Sequence, residues 1–251
     1  MRLEGRNVII TGAGSGIGRA ACVRFAEEGA HIIALDLEAD AAEGVAAEVG
    51  GVALVGSVAD PAVWDEAVSV ATAQGGLHVA YLNAGVYGFS GPIDELPLDV
   101  YQRTVDTNIG GVVLGTRAVV PAMRASGGGA IVVTASVAGI IAFEGNPIYT
   151  LTKQAVAGFV RAVAPGLVAD GISIDAVCPG IVDTPMTVEA MGGRSPVDLG
   201  IPLIDPATIA AEALDLAISE GTGRCRAVRE RRGRVDWPFP TWVELAAAEP
   251  D

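Results

Sequence analysis

Residues 8–18, Val8-Ile9-Ile10-Thr11-Gly12-Ala13-Gly14-Ser15-Gly16-Ile17-Gly18, leave the chain few choices of fold. Val8, Ile9 and Ile10 read as a short buried strand. A glycine turn follows, and Ala20, Val23 and Phe25 then continue at helical spacing. Strand, glycine turn and helix form the setting that a phosphate-binding loop requires. Glycines let the backbone approach a pyrophosphate, and a helix N-terminus offers free N–H groups at the positive end of its dipole. A tight turn alone would also carry glycines. The strand before and the helix after favour a dinucleotide.

The same alternation continues down the chain. His31–Asp36 is a second strand that ends in an acid, twenty residues beyond Gly16. An acid at that distance holds the ribose hydroxyls of NAD; alternatively, Asp36 caps the next helix. Neither Ser15 nor Leu37 supplies a cation for a 2′-phosphate, so NAD is expected over NADP. Residues 39–49 read as helix and Val52–Val55 as strand. Asp60-Pro61 is an N-cap and first-turn pair for another helix. His78–Leu82 is a fourth strand, ending at Asn83-Ala84-Gly85. A loop leads to a long helix over about 98–125, which contains Asn108. Ala130–Thr134 is a fifth strand, and a helix over about 148–168 precedes a sixth, Ile172–Val177. Residues 184–205 are a proline-rich excursion suited to a substrate loop. Asp205-Pro206 starts a helix to about Ser219, and Arg224–Arg229 is a seventh strand. Strands alternating with helices imply right-handed crossovers and one parallel sheet with helices on both faces. No repeat or linker divides the 251 residues, so a single domain over 1–251 is expected.

Composition narrows the partners. A formal charge of −14 repels nucleic acid and anionic membrane. The local exception, Arg224, Arg226, Arg229, Arg231, Arg232 and Arg234, reads as a solvated or subunit-contacting strand and turn. Residues 125–143 are uncharged, but four glycines among them argue for turn, strand and loop rather than a membrane helix. Cys22, Cys178 and Cys225 form neither a metal pattern nor a disulfide framework. With no signal-peptide core in Met1-Arg2-Leu3-Glu4-Gly5, a cytoplasmic protein without a metal is expected.

One helix carries the chemistry. Tyr149 and Lys153 are four residues apart, hence on one helical face. Of the sixteen basic residues, Lys153 is the sole lysine. An ammonium fixed beside a phenol favours phenolate and makes the tyrosine a usable acid or base. With these motifs in order, the chain resembles the short-chain dehydrogenase/reductase family, in its branch of about 250 residues. The likeness spans about residues 5–223. It rests on Thr11-Gly12-x-x-x-Gly16-Ile17-Gly18, Asn83-Ala84-Gly85, Asn108 followed by Gly111, and Ser136 thirteen residues before Tyr149-x-x-x-Lys153. Pro179-Gly180 followed by Thr184 completes it.

The resemblance implies a single-domain Rossmann-type doubly wound parallel sheet of about seven strands. Tyr149 would exchange a proton with the substrate oxygen. Lys153 would lower the tyrosine's pKa and hold the nicotinamide ribose. Ser136 would donate to the substrate oxygen. Asn108 would interrupt its helix and hold a water leading from Lys153 to solvent. Gly12, Ser15 and Ile17 would line the diphosphate, Asn83, Ala84 and Gly85 the adenosine ribose. Val182 and Thr184 would fix the carboxamide. The long helices of Asn108 and Tyr149 would pair across a two-fold axis through Val112, Val119, Val156 and Val160, giving a homodimer or homotetramer.

Three positions depart from the family pattern. Ser57, before Val58, stands where an aspartate usually meets the adenine. Leu82 replaces the first asparagine before Asn83. The tail reads Val228-Arg229-Glu230-Arg231 in place of Val-Asp-Gly-Gly and diverges over 230–251, through Trp237-Pro238-Phe239-Pro240-Thr241-Trp242. The expected activity is NAD-dependent interconversion of a secondary alcohol and its ketone. An NADP-dependent ketone reductase and a silent NAD(H)-binding protein are the alternatives. Tyr87, Val137, Phe143, Glu144, Asn146 and Met186 are candidates for the substrate pocket. Glu144 and Asn146 either bind a second polar group of the substrate or cap the helix that starts near Ile148.

Overall fold

The computed structural model describes residues 2–194, 196–240 and 244. Its order is β1 (Asn7–Thr11), α1 (Gly16–Ala26), β2 (His31–Asp36), α2 (Ala39–Val49), β3 (Val52–Val55), α3 (Pro61–Ala73) and β4 (Val79–Leu82). Then come α4 (Leu98–Val105), α5 (Gly111–Ala125), β5 (Gly129–Thr134), α6 (Pro147–Leu167) and β6 (Ile172–Pro179). The chain continues through α7 (Pro185–Ala190), α8 (Pro206–Ile218), β7 (Cys225–Arg229) and β8 (Gly233–Asp236). The sheet runs β3-β2-β1-β4-β5-β6-β7-β8. The seven expected strands are parallel, and an eighth, antiparallel to β7, was not foreseen.

Strand order reverses between β1 and β4. That switch point opens a crevice at the carboxyl ends of the strands. Side chains alternate across the sheet, as strand geometry requires. Ile9 joins the core under α3, α5 and α6, while Val8 and Ile10 join the core under α1, α2 and α8. Asp60 and Asp205 cap α3 and α8 as their sequence implies, accepting from Ala62 and Ala207 N–H.

Several expectations change. The helix over 98–125 is two helices joined by a π-type turn, Asp106–Gly110, with buried Asn108 at its centre. Val112, Val119, Val156 and Val160 face the chain's own core rather than a two-fold axis. The large apolar side chains that α4, α5 and α6 expose are Leu98, Val113 and Leu151. Nor is the arginine cluster simply solvated. Arg224 grips Asp175 with Nε and Nη2, at 3.0 and 2.8 Å. Arg226 is buried among Asp236 (2.7 Å), Asp215 (2.5 Å) and Glu212 (3.3 Å). These pairs staple β7 and β8 to α8 and β6. Beyond β8, Phe239 packs on the core, with the Arg161 guanidinium 3.9 Å from its ring centre. Thr241 and Trp242 of the tail lie outside the described residues. Cys22, Cys178 and Cys225 are free and buried. Among the described residues no helix is long and apolar enough to cross a membrane, and no three His, Cys, Asp or Glu side chains cluster as a metal site would require.

Candidate active site

A cleft of about 1080 Å³ lies over the switch point. One end is built on β1, β2 and β4. Gly12 has φ +62°, and a Cβ there would stand 2.9 Å from Ala84 Cα, so only glycine lets the two turns touch. A Cβ on Gly16, at φ +48°, would meet Thr184 Cγ2 at 2.9 Å. Ser15 precedes α1 without capping it through its side chain, so the helix N-terminus faces the cleft without that partner. Bare backbone, an uncapped helix start and a long cleft suit a dinucleotide pyrophosphate.

Asp36 ends β2 at the cleft wall. Its Oδ2 accepts from Gly14 N–H at 2.8 Å and its Oδ1 from Glu38 N–H at 3.1 Å. The carboxylate is thus fixed toward the end lined by Leu37, Ser57 and Val58. Asn83 ties the crevice together: Nδ2 donates to Thr11 carbonyl at 3.0 Å, and Oδ1 lies 3.0 Å from the Thr134 hydroxyl. The N–H groups of Asn83 and Ala84 both donate to Thr11 Oγ1.

At the other end, α6 presents Tyr149 and Lys153. Asn146 caps this helix, Oδ1 accepting from Tyr149 N–H at 2.9 Å, and its Nδ2 donates to Tyr87 carbonyl at 2.8 Å. Pro147 pre-sets the first turn. Lys153 is buried and donates to the Thr134 carbonyl at 2.8 Å, its Nζ 5.5 Å from the Tyr149 ring centre. Burial pulls the ammonium down to about 8. Burial also pushes Tyr149 up to about 12, against the opposing hydrogen bond from Ser136. Desolvation of the phenolate is thus the largest influence on Tyr149 in the protein alone, and it runs against the lowering expected from Lys153.

Asn108 sits behind these groups. It accepts from Val86 N–H at 2.8 Å and donates to Val86 carbonyl at 2.9 Å and Thr152 Oγ1 at 3.1 Å. It braces α6 and the loop after β4 without lining the cleft. Gly85 makes room for both partners: a Cβ there would come 3.3 Å from Asn108 Oδ1 and 3.5 Å from Lys153 Nζ.

Most of the expected site residues converge on the cleft. Gly85, Pro179, Gly180, Val182 and Thr184 line it, as do Tyr87, Val137, Phe143 and Met186. Tyr87 and Tyr149 rings are 5.4 Å apart. Besides Asn108, three residues do not line it. Gly18 is buried behind the turn, where a Cβ would land 1.8 Å from Gly12 carbonyl oxygen; it serves close packing of α1. Asn146 is consumed by capping, and Glu144 is exposed outside the cleft. Thr11, Thr134 and Thr152 were missed. Thr134 could have been suspected from its place at the end of a strand, two residues before Ser136. Thr11 and Thr152 gain their roles only from distant partners.

The short chain dehydrogenase family model matches residues 6–194. A cyclohexanol dehydrogenase of Acinetobacter sp. (strain SE19) is 36% identical over 194 residues, 75% of this chain and 77% of the relative. A 3-alpha-(or 20-beta)-hydroxysteroid dehydrogenase of Mycobacterium tuberculosis (strain H37Rv) is 38% identical over 189 residues, 74% of this chain and 72% of the relative. Among solved structures, the 3-ketoacyl-(acyl-carrier-protein) reductase from Brucella melitensis complexed with NADH superposes with a TM-score of 0.84 at 30% identity, covering 92% of this chain and 99% of that one. Fold, cleft and likeness agree: the chain belongs to the short-chain dehydrogenase/reductase family, whose members named here are oxidoreductases.

Proposed function

We propose that the protein is an NAD-dependent oxidoreductase that interconverts a secondary alcohol and its ketone, with Tyr149 as general acid/base. The observation that carries this reading is the placement of Ser136, Tyr149 and Lys153 at one end of a cleft whose other end carries Asp36. NAD, when bound, accepts or supplies the hydride. The protein's own residues do the rest. Gly12, Ser15, Gly16 and Ile17 receive the diphosphate at the start of α1. Asp36 takes the ribose hydroxyls and disfavours a 2′-phosphate by charge. Val182 and Thr184 hold the far end of the cofactor, while Ser136 and Tyr149 grip the substrate oxygen. Toward the ketone, the alcohol proton passes to Tyr149 as phenolate; toward the alcohol, the Tyr149 phenol donates that proton to the carbonyl oxygen and is left as phenolate. Beside these groups, Val137, Ile141 and Phe143 offer apolar wall, which suits an uncharged substrate.

Absorbance of NADH across a panel of secondary alcohols, polyols and hydroxysteroids tests the proposal. Turnover is expected with NAD at a kcat/KM well above that with NADP, and Tyr149→Phe should reduce it by ~10²–10⁴-fold. Preference for NADP would overturn the cofactor assignment. Binding without turnover of any alcohol would leave a silent NAD(H)-binding protein.

A further inference from the structure

Glu230 stands in the turn between β7 and β8, in the segment that departs from the family pattern. Its carboxylate accepts a hydrogen bond from the Ile181 backbone N–H. It also fills the space beside Gly180, where a Cβ would collide with the carboxyl carbon and both oxygens. Gly180 and Ile181 open the segment that runs through Val182 and Thr184 along one wall of the cleft. Ser136 Oγ donates to the Pro179 carbonyl at 3.5 Å and Thr187 Oγ1 to the Val182 carbonyl at 2.5 Å, and main-chain bonds hold the rest. Gly180 N–H donates to Val228 carbonyl at 2.8 Å, Ile204 N–H to Ile181 carbonyl at 2.8 Å, and Asp183 N–H to Ile204 carbonyl at 2.9 Å. Glu230 adds a charged side chain, reaching from a hairpin that is itself anchored. On that hairpin Asp236 pairs with Arg226, and Arg234 reaches Glu212 at 2.8 Å. The residue after Glu230, Arg231, holds φ 57°, a left-handed conformation that a residue with a Cβ adopts at a cost. The turn is held in that shape while it aims the carboxylate at the cleft wall.

We propose that Glu230 is a positioning residue: it latches the C-terminal hairpin onto Gly180-Ile181 and so fixes the cleft wall that bears Val182 and Thr184. The consequence for cofactor affinity rests on the NAD reading above; the latch itself does not. A carboxylate bound to a main-chain N–H makes a charge-assisted bond stronger than a neutral one. Glutamine keeps an acceptor of the same length, whereas alanine removes it and empties the flank of Gly180. Gly180→Ala opens the latch from the other side by pushing the carboxylate away.

Two readouts test it: hydrogen–deuterium exchange of the cofactor-free protein, and titration with NADH followed by nucleotide fluorescence. In Glu230→Ala, amides of 181–187 should exchange about tenfold faster, and the NADH Kd should rise about tenfold, the scale of one lost charge-assisted hydrogen bond. Glu230→Gln should stay within about threefold of wild type in both. Gly180→Ala should reproduce the faster exchange and decides the matter if Glu230→Ala does not fold. Unchanged exchange over 181–187 in Glu230→Ala or Gly180→Ala would overturn the latch. So would Glu230→Gln behaving like Glu230→Ala, or faster exchange spread over the whole chain. If the wild type fails to bind NADH, the cofactor reading falls, and exchange in the free protein still decides the latch.

Discussion

Lys153 and Tyr149 are displaced by burial in opposite senses, and each displacement ties stability to pH. Lys153 titrates near 8 in the folded protein against 10.5 when free. Between those values the unfolded chain binds the extra proton, so this contribution to stability rises with pH; it is complete above 10.5 and lost as pH falls through 8. Tyr149 is raised from 10 to about 12, so its contribution is complete below 10 and lost as pH rises through about 12. Lys153→Met removes a buried ammonium of similar length. Its Tm relative to wild type should be most favourable at pH 7 and become less so at pH 10. A difference independent of pH would show that the ammonium is not desolvated. Lys153→Arg keeps the charge but replaces a compact ammonium with a planar fork that the Thr134 carbonyl site does not match. Steady-state kinetics should show kcat/KM falling at least ~10²-fold, about 2.7 kcal/mol. The loss should not add to that of Tyr149→Phe, because both act on one proton transfer.

At the scale of the element, the start of α6 joins stability to chemistry. Asn146 caps the helix through the N–H of Tyr149 itself and holds the Tyr87 carbonyl with its other amide atom. Asn146→Ala should lower stability by about 1–2 kcal/mol, a lost cap together with an unpaired carbonyl. It should also let the first turn fray and move the phenol, lowering kcat about tenfold or more. NADH affinity should change little, since Asn146 does not line the cleft. Asn146→Asp, which keeps the cap acceptor and loses the donor, should fall between. Unaltered kcat with a lowered melting temperature would separate the cap from the chemistry. The π-type turn at Asn108 is a second such device. By leaving the regular helix there, the chain frees a side chain to brace the backbone of Val86 and the hydroxyl of Thr152.

At the scale of the whole molecule, the long helices bury the valines once assigned to a two-fold axis and leave Leu98, Val113 and Leu151 exposed at 78, 39 and 50%. The assembly we expect is a dimer or tetramer that covers these side chains, since helices of one copy packed on another would remove them from water. Light scattering at micromolar concentration should give a mass above that of one chain, and Leu98→Glu with Val113→Glu should reduce it without lowering helix content. A monomeric wild type would refute this. At one end of the sheet, β8 pairs with β7 and is pinned by Arg226 and Arg234 to the acids of α8.

What the sequence determined by itself is whatever depends on neighbours within a turn or two. The strand, glycine turn and α1 were legible because period and punctuation change within about ten residues. The caps at Asp60 and Asp205, the Tyr149–Lys153 face and the acid at the end of β2 were legible for the same reason. The tertiary structure decided everything that depends on residues distant in the chain. Gly18 proved to be packing rather than cleft because the opposing atom belongs to Gly12 across the turn. Asn146 became a cap rather than a substrate ligand because the loop after β4 brings the Tyr87 carbonyl to it. The eighth strand was hidden because the arginine run through Arg234 read as one strand and turn, and the acids and Arg226 that hold Arg234 and Asp236 in a second strand meet them only in the folded chain. The pKa directions of Tyr149 and Lys153 were least legible of all. Four-residue spacing reports which groups meet, whereas desolvation depends on how much of the sheet, the π turn and β6 closes over them.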